Sequence, residues 1–314
     1  MNPSHDWILD ADGRLQAAVR AQLACSNARA RDAIGTGKIT VDGVRVREPG
    51  AQVKRGQRVV FVENAARPER VEPFGAKLVF LDDHILVMDK PAGLLAAPVP
   101  KSEDEAEKTA LHAAQLFCKG PRRPKVVHRL DKLTSGLMVF ARSVESARVL
   151  RAALDAHTVR RVYRCVVAGR PPEPAALVAS MLIADAGDAR RGSRDGTFKL
   201  RPLNHPAPGP MPGGGKLAVT RYETVAEAPG RTALEVRLDT GRTHQIRIHL
   251  AELDCPILGD MVYGGVPGGV PGAPRQALHA AVLGLVHPTT GQRLEFTSRW
   301  PADLAEVTPR GADW

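Results

Sequence analysis

The stretch from residue 121 to residue 142 constrains the fold more than any other part of the chain. A basic run, Pro121-Arg122-Arg123-Pro124-Lys125, passes through Val126 and Val127 into His128-Arg129-Leu130-Asp131, then through Thr134-Ser135-Gly136, and leaves by Leu137, Val139 and Phe140. β-Branched residues going in, small polar turn formers in the middle and apolar residues coming out predict a strand, an exposed loop and a second strand. Asp131 is therefore expected on a loop carried by rigid elements, with cations beside it. Taken alone, such an aspartate is most often a turn former with solvated basic neighbours.

The surrounding match is longer than a lone aspartate. The run from His128 to Ala141 resembles the signature of the RluA family of pseudouridine synthases. Asp89-Lys90-Pro91-Ala92-Gly93-Leu94 is similar to that family's entry motif, and Thr240-Gly241-Arg242-Thr243-His244-Gln245-Ile246-Arg247-Ile248-His249 to its later one. The resemblance implies that Asp131 is the catalytic residue, that Arg247 pairs with it, and that Tyr163 is the active-site tyrosine. It further implies that Arg129 occupies the space of a flipped base, with His128 beside it on the RNA, and that Leu278 forms an apolar wall under the uracil. Read without the family, Tyr163 is a strand aromatic, Leu278 a core leucine and Arg247 a surface arginine of a helix, so both sets of readings stand at this point. One departure is visible: Ala97 precedes Pro98 where the family often has a histidine.

Charge and length agree with a large anionic partner. The chain has 314 residues, a formal net charge of +10 and 43% hydrophobic residues, enough for a substantial core and about two domains. Such an excess of positive charge favours a polyanion, and the motifs select RNA. The N-terminus, Met1-Asn2-Pro3-Ser4-His5-Asp6, lacks an apolar signal region, and no apolar run reaches membrane-span length, so no membrane partner and a cytoplasmic location are expected. Cys25, Cys118, Cys165 and Cys255 are scattered, and the histidines lack ligand spacing, so no metal site is expected.

Along the chain, residues 14 to 24 have helical periodicity, and Ser26 or Asn27 can cap a second helix ending near Gly35 or Gly37. Asp42-Gly43 between two short apolar runs predicts a hairpin, followed by a strand over Arg58 to Val62. Helix, helix, hairpin, with Arg29, Arg31, Lys38, Arg45 and Arg47 upon it, resembles the alpha-L RNA-binding module; the alternative is a basic domain with merely solvated charges. Residues 1–64 are thus expected to form this small α/β domain, 65–73 a linker and 74–314 the catalytic domain. Strands are predicted over 78–81, 85–88, 161–169, 217–224 and 232–238, and helices over 109–118, after Ser143 and from a Thr243 cap to Leu253. The Gly-, Pro- and Arg-rich residues 185–216 read as a mobile basic insertion, residues 102–108 as a flexible charged segment and 264–274 as a loop.

Strands joined by turns outnumber helices after residue 74, which makes the fold class α+β. The resemblance sharpens this to a long mixed, largely antiparallel sheet with a central catalytic cleft. It also implies the chemistry: uridine becomes pseudouridine when the N-glycosidic bond breaks, the base rotates and carbon replaces nitrogen, with no net redox change and no cofactor. Asp131 could add to C1′, add to C6 of the base or abstract the 2′ proton, and the sequence does not choose. The expected substrate is ribosomal RNA, with transfer RNA as the nearer alternative, and no obligate protein partner is evident. A non-catalytic RNA-binding or ribosome-assembly factor and an aspartate-dependent glycosylase are the competing classes. Convergence of Asp131, Tyr163 and Arg247 in one place would separate an enzyme from a binding factor.

Overall fold

A computed structural model describes the chain except for residues 1–3, 37, 47, 64–71, 99–107, 119–122, 185–189, 210–213 and 265–271. The expected linker, the charged segment after residue 101 and Arg47 therefore lie wholly or mostly outside the described residues. The chain divides into two compact units, Met1–Val71 and Glu72–Trp314.

The first unit contains β1 (Ser4–Ile8), β2 (Gly13–Arg14), α1 (Leu15–Gln22), α2 (Asn27–Gly35), β3 (Ile39–Val41), β4 (Val44–Arg45), β5 (Gln52–Val53) and β6 (Arg58–Val62). Its main sheet runs β1-β6-β3-β4, and Leu15, Val19, Ala30, Ile34, Ile39 and Val59 are fully buried between helices and strands. The Ser26 side chain accepts from the Arg29 amide at 3.2 Å and caps α2. Asp42 and Gly43 both take positive φ, 50° and 78°, as a two-residue hairpin turn requires. β1 was not predicted. Its ladder with β6, Ser4 opposite Val62 through Ile8 opposite Arg58, supplies a partner that no local pattern reveals.

The second unit contains β7 (Lys77–Leu81), β8 (Ile85–Lys90), α3 (Ala110–Phe117), β9 (Lys125–Val126), β10 (Ser135–Ala141), α4 (Val144–Asp155), β11 (Arg160–Ala168), β12 (Ala175–Ile183), β13 (Gly192–Ser193), β14 (Lys199–Pro202), β15 (Lys216–Ala228), β16 (Arg231–Leu238), α5 (Gln245–Ala251), β17 (Leu278–Val286) and β18 (Arg293–Thr297). Twelve of its strands form one sheet, ordered β13-β12-β15-β16-β11-β17-β10-β8-β7 along its main path. All pairings are antiparallel except β10 with β17. This is the expected mixed, largely antiparallel sheet of an α+β protein.

The central strands are apolar on both faces, as strands covered on both sides must be. Leu86, Met88, Met138 and Phe140 join the large core, while Ile85, Val87, Leu137 and Val139 pack on the other side with Ala147 and Leu150 of α4. Burying each such side chain contributes roughly 1.5–3 kcal/mol. The Ser143 cap of α4 accepts from the Ser146 amide at 3.0 Å.

Two expectations are corrected. The 185–216 insertion is not wholly loop: β14 pairs with β12 from Ala176–Pro202 to Ala179–Lys199, and β13 pairs with its other end. Thr243 does not cap α5. His244 takes a left-handed φ of 59° at the helix start, and the Gln245 side chain does the local work. Its Oε1 accepts from the Arg242 amide at 2.9 Å and from the Thr240 hydroxyl at 2.7 Å.

Gly136 lies directly against Ala280 of the parallel partner β17. Its φ is +112°, and a Cβ there would lie 2.3 Å from the Ala280 carbonyl oxygen. Gly136→Ala combines that clash with a disfavoured backbone, so a stability loss of at least about 1–3 kcal/mol is expected, read as a lowered urea midpoint with an unchanged slope.

Buried neutral histidines give the fold a pH limit. His249 lies between Ser180 Oγ at 2.9 Å and Thr220 Oγ1 at 2.8 Å, and burial lowers its pKa from 6.5 to about 3. Burial, aided by the charge of Arg275, lowers that of His279 to about 4. Both depressed values mean that the unfolded chain binds protons first. Their contribution is full above pH 6.5 and is lost as pH falls from there toward 4 and 3. Thermal melts should drop steeply across that window; a melting temperature flat from pH 7 to pH 4 would contradict it.

Candidate active site

Asp131 lies on the loop between β9 and β10, and the loop is pinned from below. Its carbonyl accepts the Thr134 amide at 3.1 Å, closing a turn. Lys90, at the end of β8 and fully buried, donates Nζ to the carbonyls of Pro91 at 2.9 Å, Leu94 at 2.8 Å and Lys132 at 3.1 Å. Burial pulls the Lys90 pKa down to about 7, while the charge of Asp131 acts in the opposite direction. Three carbonyl acceptors use all three ammonium protons, so the geometry holds the charged form. On the other side, Arg275 Nη1 donates to the Leu133 carbonyl at 3.2 Å and Gln276 Nε2 to Thr134 Oγ1 at 2.6 Å. Asp303 fixes Arg275 in turn, at 2.7 Å.

The carboxylate meets α5. Arg247 Nη1 donates to Asp131 Oδ2 at 3.0 Å, and the Asp131 side chain keeps 24% of its surface open. The rest of the guanidinium is taken by Asp260, with Nε to Oδ2 at 2.6 Å and Nη2 to Oδ1 at 2.9 Å. Asp260 is 1% exposed and also accepts the amides of Val262 and Tyr263 at 3.0 and 3.2 Å. Burial works against both charges. The pairing outweighs it, so the Asp260 pKa is lowered and that of Arg247 raised. Arg247 is thus a fixed cation between one closed and one open carboxylate.

Two rings border this row. Tyr263 lies with its ring centroid 5.0 Å from the Arg247 guanidinium, and its hydroxyl is 3.0 Å from His244 Nδ1. His244 Nε2 stands 3.9 Å from Asp131. Burial lowers the His244 pKa although Asp131 pulls it upward.

Of the other residues singled out in the sequence, Tyr163 on β11 is buried within the large core cluster that also holds Leu130 and Leu278. Burial raises its pKa, and the charges of Arg161 and Asp131 act on it in opposite directions. Leu278, 3% exposed, pairs through β17 with Cys165 of the tyrosine's strand. Arg129 is exposed beside the loop. His128 Nε2 accepts the Val139 amide at 3.0 Å, so the ring braces β10. Burial, followed by the charge of Arg161, lowers its pKa to about 4. Arg29, Arg31 and Lys38 belong to the first unit; Arg29 is 3.0 Å from Glu63, and Arg31 Nε is 3.4 Å from Gln16 Oε1.

Residues 84–252, more than half of the chain, match the family model described as RNA pseudouridylate synthase. The chain belongs to this family. Residues 13–59 match the S4 domain, the part of the sequence read as an alpha-L module. Ribosomal large subunit pseudouridine synthase D of Pseudomonas aeruginosa is 35% identical over 300 residues, covering 91% of this chain and 88% of that protein. The Zymomonas mobilis protein of the same name is 31% identical and covers 95% and 92%. Among solved structures, human RNA Pseudouridylate Synthase Domain Containing 4 superposes with a TM-score of 0.54 at 23% identity, over 74% of this chain and 94% of that one, a likeness of fold. As a member of the pseudouridylate synthase family, the chain is an RNA isomerase.

Lys90, Asp260, His244 and Tyr263 were not assigned roles from sequence. Asp260 had a physical signal. An arginine on the inward face of a helix needs a buried acid, and Gly259, with φ +75° and a Cβ position 2.1 Å from the Arg275 carbonyl oxygen, marks a tight turn directly before that acid.

Proposed function

We propose that this pseudouridine synthase isomerises uridines of ribosomal RNA, with Asp131 as the catalytic carboxylate. The observation that carries the reading is the Asp131–Arg247 contact at 3.0 Å, which joins residues 116 positions apart and leaves one carboxylate face open. Arg247 orients the carboxylate through that hydrogen bond. Tyr163 stacks on the base and assists removal of the C5 proton from the product. Leu278 forms the apolar wall beneath the uracil, and Arg129 fills the gap left when the nucleotide leaves its stack. Ribosomal RNA is favoured by the names of relatives that this chain matches over nearly its full length, and by the basic S4 segment.

The test is tritium release from C5-labelled transcripts of large-subunit ribosomal RNA and of transfer RNA. Release from the ribosomal transcript supports the proposal. Release from transfer RNA alone would move the substrate, free uracil would indicate a glycosylase, and binding without release would indicate an RNA-binding factor.

The S4 unit supplies affinity rather than chemistry in this account, through Arg29, Arg31 and Lys38. Deleting residues 1–71 should weaken RNA binding and flatten its salt dependence by about one unit of log–log slope for each phosphate that is no longer neutralised. A truncated protein with unchanged affinity and slope would contradict this.

A further inference from the structure

Arg161 has none of the roles assigned so far. It is 8% exposed, yet among the described residues no carboxylate pairs with it. Its one hydrogen bond there is a long one, Nη2 to the Leu238 carbonyl at 3.4 Å, and its Nε is enclosed without an acceptor. A buried guanidinium so poorly paired is costly, and an apolar side chain of similar volume would fill the site at lower cost. Its position suggests what offsets that cost. Arg161 and Tyr163 are two residues apart on β11; its register with β17 shifts between Val162 and Tyr163, but that with β16 runs unbroken from Val162 to Ala168, so strand alternation puts both side chains on one face. At Gly241, in the Thr240–Thr243 turn, a Cβ would fall 2.5 Å from Arg161 Nη1, so the absent side chain leaves room for the guanidinium. Phosphates of a flipped nucleotide remain at the mouth of a pocket, whereas the base enters it. A cation this deep, beside Tyr163, is placed for the base.

We propose that Arg161 binds a carbonyl oxygen of the target uracil and takes up the negative charge that develops when the glycosidic bond breaks. This rests on the pseudouridine synthase reading above. The C1′–N1 bond breaks heterolytically, and N1 keeps the electron pair, which spreads onto O2 and O4. C1′ is satisfied either by a bond to the Asp131 carboxylate or by loss of the 2′ proton to it. After the base rotates, C5 supplies the electron pair for the new bond to C1′, the sugar is restored, and the C5 proton leaves.

The experiment compares wild type, Arg161→Met and Arg161→Lys in single-turnover cleavage of the C1′–N1 bond, at uridine and at 5-fluorouridine in the target position of one RNA; C5 of the fluorinated base has no proton to lose, so its C-glycoside keeps fluorine and takes up water at C6. Fluorine withdraws electrons and makes the base a better anion. With uridine, Arg161→Met should slow conversion by about 10²–10³, the loss typical of removing one donor to a developing oxyanion, while RNA affinity changes little. With 5-fluorouridine the defect should shrink at least about tenfold, and Arg161→Lys should fall between wild type and Arg161→Met on both substrates. Equal defects on the two bases, in Arg161→Met or, should that variant not fold, in Arg161→Lys, would overturn the proposal. So would weakened binding with unchanged conversion, which marks a phosphate contact. A wild-type protein inactive on uridine would instead refute the pseudouridine synthase reading itself.

Discussion

Asp131→Asn is expected to bind RNA with wild-type affinity and to release no detectable tritium from C5-labelled RNA. The substitution keeps the shape of the side chain, and the loop beneath it is held by Lys90, Arg275 and Gln276 through hydrogen bonds that do not involve the Asp131 carboxylate. What disappears is the charge and the nucleophilicity, whichever of C1′, C6 or the 2′ proton the carboxylate engages. Arg247 keeps its bidentate partner Asp260 at 2.6 and 2.9 Å, so the guanidinium does not become an unpaired buried cation and the fold should hold. Binding measured alongside tritium release separates loss of chemistry from loss of structure. Substantial release by a preparation free of wild-type protein would remove Asp131 from its catalytic role.

Asp260→Asn should also slow the reaction, by a different path and with a loss of stability that Asp131→Asn does not share. Asp260 does not touch the open face of the Asp131 carboxylate; it positions Arg247 and also accepts the amides of Val262 and Tyr263. Removing its charge leaves Arg247, 6% exposed, with Asp131 as its remaining carboxylate partner. Breaking a buried pair costs about 3–5 kcal/mol, so the urea midpoint should fall markedly. Arg247 is then free to pivot on its single bond to Asp131, and a displacement of about 1 Å in such a group costs on the order of 10² in rate. The expected signature is a lowered kcat with KM for RNA little changed, accompanied by reduced stability. Full activity at wild-type stability would mean that Asp131 and its loop orient Arg247 without help.

The parts of this molecule that follow from local pattern were readable in the sequence. The strand, loop and strand around Asp131 appear as β9, the pinned turn and β10, and the Asp42-Gly43 hairpin and the Ser26 and Ser143 caps form as their residue types dictate. The parts that failed depend on partners distant in the chain. β14 is Lys-Leu-Arg-Pro, too short and too polar to register as a strand, and it exists because β12 offers it a ladder. Thr243 had the composition of a helix cap, but the buried amide of Gln245, which donates to the Val219 carbonyl and Thr220 Oγ1 at 3.0 Å, anchors the turn and moves the helix start. His128 belongs to the same motif as Asp131 yet braces β10.

The measurement that bears most directly on the central claim is a map of pseudouridines in ribosomal RNA from cells lacking this protein, complemented with wild type or with Asp131→Asn. One or more sites in large-subunit ribosomal RNA should lose pseudouridine in the deletion, regain it with wild type and not regain it with Asp131→Asn. An unchanged map in the deletion strain, or restoration by Asp131→Asn, would contradict that claim.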